Sequence, residues 1–268
     1  MKKVKRIFNK NNIATILYPV LFGVFIGILW QTQALHKILG ADTFTLPMPE
    51  RIFGIIRDNP ESIWKNVQST LIVALGGLFL GSAIGFLIGV LATFAPKWGA
   101  GGLTVIAAFN AIPIIAIAPI VNNLTKGISD SPEFRSMIAK MIVVMVTCMV
   151  PMSINVYRGM TELKPFSMDL MKSYAANKRT IFFKLRLPNS VPYIFTALRV
   201  SVPISVISAL VSEYFAEYII GVGRQIRENI VLAQYATAWA YITVACAIGI
   251  ILYAILLAME GIMLKSRR

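Results

Sequence analysis

The stretch LIVALGGLFLGSAIGFLIGVL occupies residues 71–91 and contains no charged side chain. About twenty apolar residues are enough for a helix to cross roughly 30 Å of hydrocarbon. Comparable runs recur along the 268-residue chain, which is 57% hydrophobic and 14% charged. The sequence therefore predicts an all-α, polytopic transmembrane helical bundle that forms one domain over residues 1–268. About six spans are predicted, at 13–30, 66–94, 102–121, 137–156, 191–215 and 236–264.

Glycine recurs at every fourth position of this stretch, which places the glycines along one side of a helix. A side without side chains lets two helix backbones approach closely, as in small-xxx-small packing. The sequence therefore predicts a helix-packing face made of Gly77, Gly81, Gly85 and Gly89.

The net charge of +14 is distributed unevenly between the predicted loops. With the N-terminus in the cytoplasm, sixteen Lys and Arg residues lie inside and nine lie outside. This asymmetry follows the positive-inside rule, so we expect a multi-pass protein of the bacterial plasma membrane with both termini cytoplasmic. Anionic lipid headgroups, rather than nucleic acid, are the expected partner of the basic residues. A signal peptide is the alternative for the first span, but its apolar run is too long and no small-residue cleavage site follows.

The sequence offers little catalytic or metal-binding chemistry. It contains no G-x-x-x-x-G-K-[ST] phosphate loop, no G-x-S-x-G elbow and no metal-ligand spacing. Cys148 and Cys246 fall inside predicted spans, and the single histidine, His36, is predicted to be a solvated residue at the membrane interface. We therefore expect that the chain has no catalytic residues, is not an enzyme, and binds no metal or other cofactor itself.

The longest outer loop covers residues 31–65 and contains the sequence Leu46-Pro-Met-Pro49. The apolar residues that follow it, Ile52, Phe53, Ile55 and Ile56, suit a short helix lying on the membrane surface. A re-entrant segment is the alternative.

A stripe of hydroxyl side chains follows the fifth span and ends beside a carboxylate. Steps of four, three and four residues put the serines on one helix face. Two explanations remain open, namely hydrogen bonding within the helix bundle and a polar wall along a solute path. The predicted path residues are Ser201, Ser205, Ser208, Ser212 and Glu213. Arg199 of the same span is predicted to reach the inner headgroups or to pair with a neighbouring helix.

Residues 158–186 form the longest hydrophilic stretch on the predicted inner side, with seven basic and two acidic side chains. Pro165 suits the first turn of a helix. Phe166, Leu170 and Tyr174 recur every four residues and would therefore share one face of that helix.

The same stretch predicts a second short helix, closed by Leu187-Pro188. Asn177 can adopt the left-handed conformation that ends a helix, so it is predicted to make the turn between the two helices. The product is a helix–turn–helix elbow, with Ala175, Ala176 and Asn177 at its tip, small enough to enter a partner's groove. An elbow that lies on the membrane surface is the alternative.

The segment DLMKSYAANKRTIFFKLRLP, residues 169–188, resembles the E-A-A-x3-G-x9-I-x-L-P loop of binding-protein-dependent ABC importer permeases. Asp169 falls at the motif's Glu and Ala175 at its Gly, whereas Leu170 and Met171 replace its two alanines. The flanking residues 160–165 and 189–199 resemble the sulfonate, taurine and nitrate group of these permeases. The same holds for Ala111-Ile-Pro113 with Ala118-Pro119, and for the outer Gly221-Val-Gly223 turn.

The resemblance implies a type I importer permease fold, with a cytoplasmic coupling elbow between spans 4 and 5. It implies a second permease copy, favouring a homodimer over a heterodimer, and cytoplasmic ATP-binding subunits that carry ATP and Mg²⁺. It also implies an extracytoplasmic binding protein that delivers the solute. The ATPase-coupling residues implied by the motif are Asp169, Tyr174, Ala175, Ala176, Asn177, Leu187 and Pro188.

The solute remains open between two classes. One is an oxyanion such as a sulfonate or nitrate, and the other is an aromatic vitamin precursor of the pyrimidine or flavin type. An ion-coupled secondary transporter is the alternative from another class of protein. It would call for mid-membrane carboxylates and inverted repeats, neither of which is visible in the sequence.

Overall fold

The computed structural model describes residues 10–95, 99–108, 112–216, 218 and 220–265. These residues fold as twelve α-helices with no β-strand among them. The helices are α1 Lys10–Gln31, α2 Ala34–Leu39, α3 Pro49–Asp58, α4 Pro60–Phe94, α5 Gly99–Ala108, α6 Ile114–Leu124, α7 Pro132–Thr161, α8 Ser167–Ser173, α9 Lys178–Ile181, α10 Leu187–Tyr214, α11 Val222–Val231 and α12 Tyr235–Lys265. The predicted all-helical membrane fold is confirmed.

Within the described ranges, four helical segments are long and apolar enough to cross a membrane. They are Pro60–Phe94, Pro132–Thr161, Lys178–Tyr214 and Tyr235–Leu264. Three shorter apolar helices, Leu17–Gln31, Gly99–Ala108 and Ile114–Leu124, accompany them. Some of the basic residues behind the topology prediction, at positions 2–6, 97 and 267–268, lie outside the described residues.

The span predicted over residues 102–121 is divided between two helices. Helix α5 ends at Ala108 and α6 begins only at Ile114, with Pro113 as its extended N-cap residue. A proline lacks the N–H that a helix interior needs, and it biases the residue before it towards extended backbone. Hydropathy alone misses this interruption because both sides of it are apolar. Ala111 lies outside the described residues.

The described residues group into two compact units. The first contains the chain up to Pro60 together with Asn229–Ala240. Its indole rings of Trp30 and Trp239 meet edge to face at 5.6 Å, and their N–H groups donate to the carbonyls of Pro47 and Thr45. His36 is 6% exposed and lies 2.6 Å from the Leu46 carbonyl oxygen, so its prediction as a solvated residue was wrong. The predicted helix of the outer loop is present as α3.

The second unit contains Glu61–Glu228 and Tyr241–Arg268, and its core lies among α4, α7 and α10. A buried cluster joins Val73 and Ala74 of α4 to Val144 and Cys148 of α7 and Ala209 of α10. This cluster fixes the three helices that carry the candidate site residues.

The glycine face of α4 lies directly on the α7 backbone. A Cβ added at Gly85 would lie 2.9 Å from the Met152 Cβ, and one at Gly89 would lie 2.8 Å from the Ser153 carbonyl oxygen. Equivalent contacts place Gly77 on Val144 and Gly81 on Met145, so each glycine step of α4 matches one turn of α7. The close approach is possible because none of these positions carries a side chain.

Helix α10 is reached without a break from the elbow. Leu187-Pro188 was predicted to end a helix, but Pro188 lies in the first turn of α10, after a π-helical turn at Phe182–Arg186. A proline lacks the N–H that donates within a helix, and the π-helical turn just before Pro188 already departs from the i→i−4 hydrogen-bond pattern. The segment Lys178–Tyr214 is therefore one helical stretch of 37 residues.

Candidate functional site

The elbow between α7 and α10 begins with a sharp turn. Phe166 precedes α8 with a φ of 62°, and Pro165 lies in the turn before it rather than in the first helical turn as predicted. Asp169 lies in the first turn of α8, where the helix dipole favours a carboxylate, and it pairs with Lys172 at 3.6 Å.

The left-handed residue between α8 and α9 is Ala175, not Asn177. Ala175 has a φ of 51°, and its N–H donates to the Lys172 carbonyl oxygen at 2.9 Å. Asn177 is extended and caps the start of α9, because its side-chain oxygen accepts the Thr180 N–H at 2.8 Å. The prediction that Asn177 makes the turn was therefore wrong. The alanine keeps the left-handed backbone that glycine adopts more easily at this motif position.

The elbow presents apolar side chains to its surroundings. Phe166 is 82% exposed, Leu170 is 57% exposed and Tyr174 is 78% exposed. Leu170 lies in α8, while Phe166 immediately precedes that helix and Tyr174 immediately follows it, and no residue of α8 is buried. Exposed apolar patches of this kind mark surfaces that are covered by a partner or by lipid.

The base of the elbow, in contrast, is anchored to the bundle. Phe182 contacts the Phe94 ring at 5.7 Å, and Arg186 donates to the Thr93 carbonyl oxygen at 3.4 Å. Leu187 packs against the buried cluster that contains Met160. A fixed base with an exposed tip is suited to transmitting a force applied at the tip.

The serine stripe of α10 is buried in the bundle. All four serines are at most 1% exposed. The Ser208 hydroxyl lies 3.0 Å from the Thr147 hydroxyl of α7, while the Ser205 and Ser212 hydroxyls donate to carbonyls one turn back at Val202 and Ala209. The sequence left two explanations open for this stripe. In this conformation the contacts support hydrogen bonding within the helix bundle.

Glu213 is the centre of a buried hydrogen-bond network. Its carboxylate, which is fully buried, accepts the Thr70 hydroxyl at 2.9 Å and the Gly223 N–H at 2.8 Å. Thr70 in turn accepts the Val222 N–H at 2.9 Å. A buried carboxylate requires such donors, because desolvation without hydrogen bonds is costly.

This network holds the Gly221-Val-Gly223 turn against α4 and α7. Asn66 accepts the Gly221 N–H at 2.9 Å, and Lys140 donates to the Ile220 carbonyl oxygen at 3.2 Å. Gly221 has a φ of 117°, and a side chain there would run into the Glu213 carboxylate. The turn therefore requires glycine for two independent reasons.

The sequence pattern indicated Glu213 but not the partners of its network on α4 and α7. Asn66 and Thr70 are one turn apart and continue the glycine face of α4 outward. That continuation of a packing face by polar residues was the available signal. For Lys140 the only signal in the sequence was a charged residue inside an apolar segment.

Arg199 pairs with a neighbouring helix, one of the two outcomes predicted for it. Its guanidinium makes a bidentate ion pair with Glu260 of α12, with N–O distances of 2.6 and 2.7 Å. In apolar surroundings, a pair of this geometry neutralises both charges. Among the described residues, no group of His, Cys, Asp and Glu could hold a metal ion.

Comparison with known proteins assigns this architecture to a family. Residues 81–265 match the model of the binding-protein-dependent transport system inner membrane component. The chain is 27% identical over 253 residues to the formylaminopyrimidine transport permease protein ThiX of Halalkalibacterium halodurans, covering 94% of this chain and 96% of that protein. It is 24% identical to the riboflavin transport system permease protein RibX of Chloroflexus aurantiacus, over 89% of this chain and 85% of that protein.

Oxyanion systems also occur among the similar proteins. The nitrate import permease protein NrtB of Synechococcus elongatus is 24% identical over 73% of this chain and 70% of that protein. A solved structure of an amino acid ABC transporter shares the fold, with a TM-score of 0.57 at 14% identity, covering 79% of this chain and 96% of that one.

Proposed function

The chain belongs to the family of binding-protein-dependent transport system inner membrane components and is an ABC importer permease, and we propose that it translocates a small solute delivered by an extracytoplasmic binding protein. The exposed apolar side chains of the elbow, Phe166, Leu170 and Tyr174, on an anchored base carry the proposal. Such a surface suits insertion into a groove of a cytoplasmic ATP-binding subunit, which holds ATP and Mg²⁺. ATP-dependent closure of those subunits shifts the bundle between inward-open and outward-open states, because the two states bind the subunits differently.

We further propose a homodimer of this chain with both termini in the cytoplasm. Some of the similar proteins are named for aromatic solutes and others for oxyanions. Both classes are candidates for the solute of this chain. The serine face and Glu213 border the path in a state where α10 has moved from α4 and α7. In the present conformation they are buried, with Ser208 against Thr147 of α7 and Glu213 against Thr70 of α4.

Substitution at the elbow tip tests the coupling role. Ala175→Arg adds bulk and charge where the partner groove is proposed to close, so ATP-driven uptake into proteoliposomes should fall at least about tenfold, an effect of about 1.4 kcal/mol on coupling. Ala175→Gly should keep full uptake because glycine favours the same backbone.

Ala233→Arg provides the matched control. Ala233 is also exposed and also has a positive φ, of 55°, so the same substitution carries the same local strain away from the elbow. A cysteine at Ala176 should cross-link to the ATP-binding subunit in at least one nucleotide state. Loss of uptake in both arginine variants, or absence of the cross-link in every state, would contradict the proposal.

A further inference from the structure

An open pocket of about 380 Å³ lies where α6, the end of α10 and the start of α11 meet. It falls within the range of about 300–1,000 Å³ that is usual for small-molecule sites. Its walls are almost entirely apolar, with Leu210 and Val211 on α10 and Ile226 on α11. Tyr214 and Phe215 close the end beside the Glu213 network.

The two aromatic rings are held in place from both sides. They meet edge to face, with centroids 5.2 Å apart and planes at 61°. The Arg227 guanidinium lies 5.7 Å from the centre of the Tyr214 ring and donates to the Tyr214 carbonyl oxygen at 3.4 Å. Asn122 of α6 donates to the Phe215 carbonyl oxygen at 3.4 Å. The backbone that carries the two rings is therefore held by α6 and α11, and the rings contact each other.

A planar heteroaromatic ring is the solute chemistry that this surface favours. Aromatic faces bind flat π-systems by stacking. The Arg227 guanidinium already lies over one face of the Tyr214 ring, so a solute ring would stack on the other face. An apolar wall does not favour a small hydrated oxyanion. Removing water from such an ion is costly unless charged groups or N–H donors replace the lost hydrogen bonds.

We propose that this pocket is a solute site of the permease and that it recognises planar nitrogen heteroaromatic rings of pyrimidine size or larger through Tyr214. The proposal rests on the proposed function, because it names the solute class of the same importer.

A second pocket contains basic side chains of the kind that an oxyanion site would need. It has a volume of about 210 Å³, and its lining includes Lys65, Lys140 and Glu133. The Lys140 ammonium already donates to the Ile220 carbonyl oxygen, and Glu133 adds a negative charge. Its cationic character is thereby reduced, and the pocket beside Tyr214 is the larger of the two.

Ligand protection of a cysteine in the pocket tests the proposal. Ile226→Cys is made with Cys246→Ser, since Cys246 is exposed and Cys148 is buried. The permease, with its ATP-binding subunits, is reconstituted in nanodiscs and labelled with a water-soluble maleimide. A site with a Kd near 1 mM for 4-aminopyrimidine should slow labelling about tenfold at about 10 mM of this probe. Sodium nitrate at the same concentration should leave the rate unchanged.

The role of the ring is isolated by two matched variants. Tyr214→Leu removes the stacking surface, so the Kd should rise about tenfold, equivalent to about 1.4 kcal/mol, and protection should fall to about twofold. Phe79→Leu removes an aromatic ring that is 74% exposed elsewhere on α4, and it should leave protection intact.

Three results would overturn the proposal. Protection by nitrate but not by 4-aminopyrimidine would assign the pocket to oxyanions. Labelling that both probes leave unchanged would show that the pocket binds neither. A cysteine that is unreactive in the assembled complex without any probe, but reactive in the separated chain, would show that a second copy covers the pocket. The importer proposal is tested separately, by measuring the ATPase activity and the subunit composition of the same preparation.

Discussion

The α4–α7 seam gives a stability prediction that can be worked from single atoms. In Gly81→Ala the new Cβ would meet the Met145 carbonyl oxygen, while the Met145 Cα lies at 3.1 Å and the Cys148 Cβ at 3.0 Å. These atoms belong to the α7 backbone or are rigidly attached to it, so they cannot rotate away and the two helices must separate. Overpacking of this kind costs about 1–3 kcal/mol.

Two control glycines separate that cost from the general effect of replacing glycine in a helix, where alanine is favoured by about 1 kcal/mol. In Gly249→Ala the added Cβ has no described atom within 4 Å. In Gly76→Ala it meets mainly the mobile end of the Met141 side chain. Gly81→Ala should therefore be about 1–3 kcal/mol less stable than Gly249→Ala, with Gly76→Ala close to the latter.

The buried thiol of Cys148 provides the assay. It is 0% exposed and lies in the same seam, so a fluorogenic maleimide reports its exposure on heating in a Cys246→Ser background. At about 2–4 °C per kcal/mol, Gly81→Ala should unfold roughly 2–12 °C below Gly249→Ala. Equal midpoints for the two variants would refute the argument that close backbone approach holds α4 on α7.

Further predictions concern the buried network, the serine face and the absence of a phosphate loop. Thr70→Val removes the hydroxyl donor to Glu213 and should cost about 1.5–3 kcal/mol, measured in the same thermal assay; Thr70→Ser keeps the hydroxyl and should recover most of that loss. If both variants unfold together, the hydroxyl contributes nothing. Single cysteines at the four serines of α10 should react with a water-soluble thiol reagent in at least one nucleotide state, whereas Val206→Cys should not react. If none of the four cysteines reacts in any state, the serine stripe serves packing alone. The chain purified without partner subunits should show no ATP hydrolysis above an empty-vector preparation, and robust turnover would contradict the importer proposal. The four single-cysteine variants of the serine face are made at Ser201, Ser205, Ser208 and Ser212.

Local periodicity predicted the parts of this fold that depend on one helix at a time. The four-residue glycine spacing placed a packing face on α4, and the structure shows that face on α7. Hydropathy missed the break at Pro113, because an apolar run continues across a point where the backbone is extended. Propensity failed at Ala175, where local hydrogen bonds to the Lys172 and Met171 carbonyls end the helix with an alanine in a conformation that asparagine adopts more readily.

The Glu213 network could not be predicted from the same information. Its donors come from the Gly221-Val-Gly223 turn and from α4, which lies more than a hundred residues earlier in the chain. Only the packing of α4 on α7 and of α7 on α10 brings these groups together. A buried carboxylate indicates that donors exist, but the sequence does not say which groups supply them.

The unbroken helix from Lys178 to Tyr214 works as a lever. Its 37 residues reach roughly 55 Å, so a tilt of about 5° displaces one end by about 5 Å relative to the other. The elbow lies at one end, and Glu213, with the turn it binds, lies at the other. Under the coupling proposed above, a displacement of the elbow by the ATP-binding subunits would tilt this rod and move its far end. The movement transmitted depends on the stiffness of the rod, which would bend first at the π-helical turn Phe182–Arg186 and at the prolines inside α10, Pro192 and Pro203.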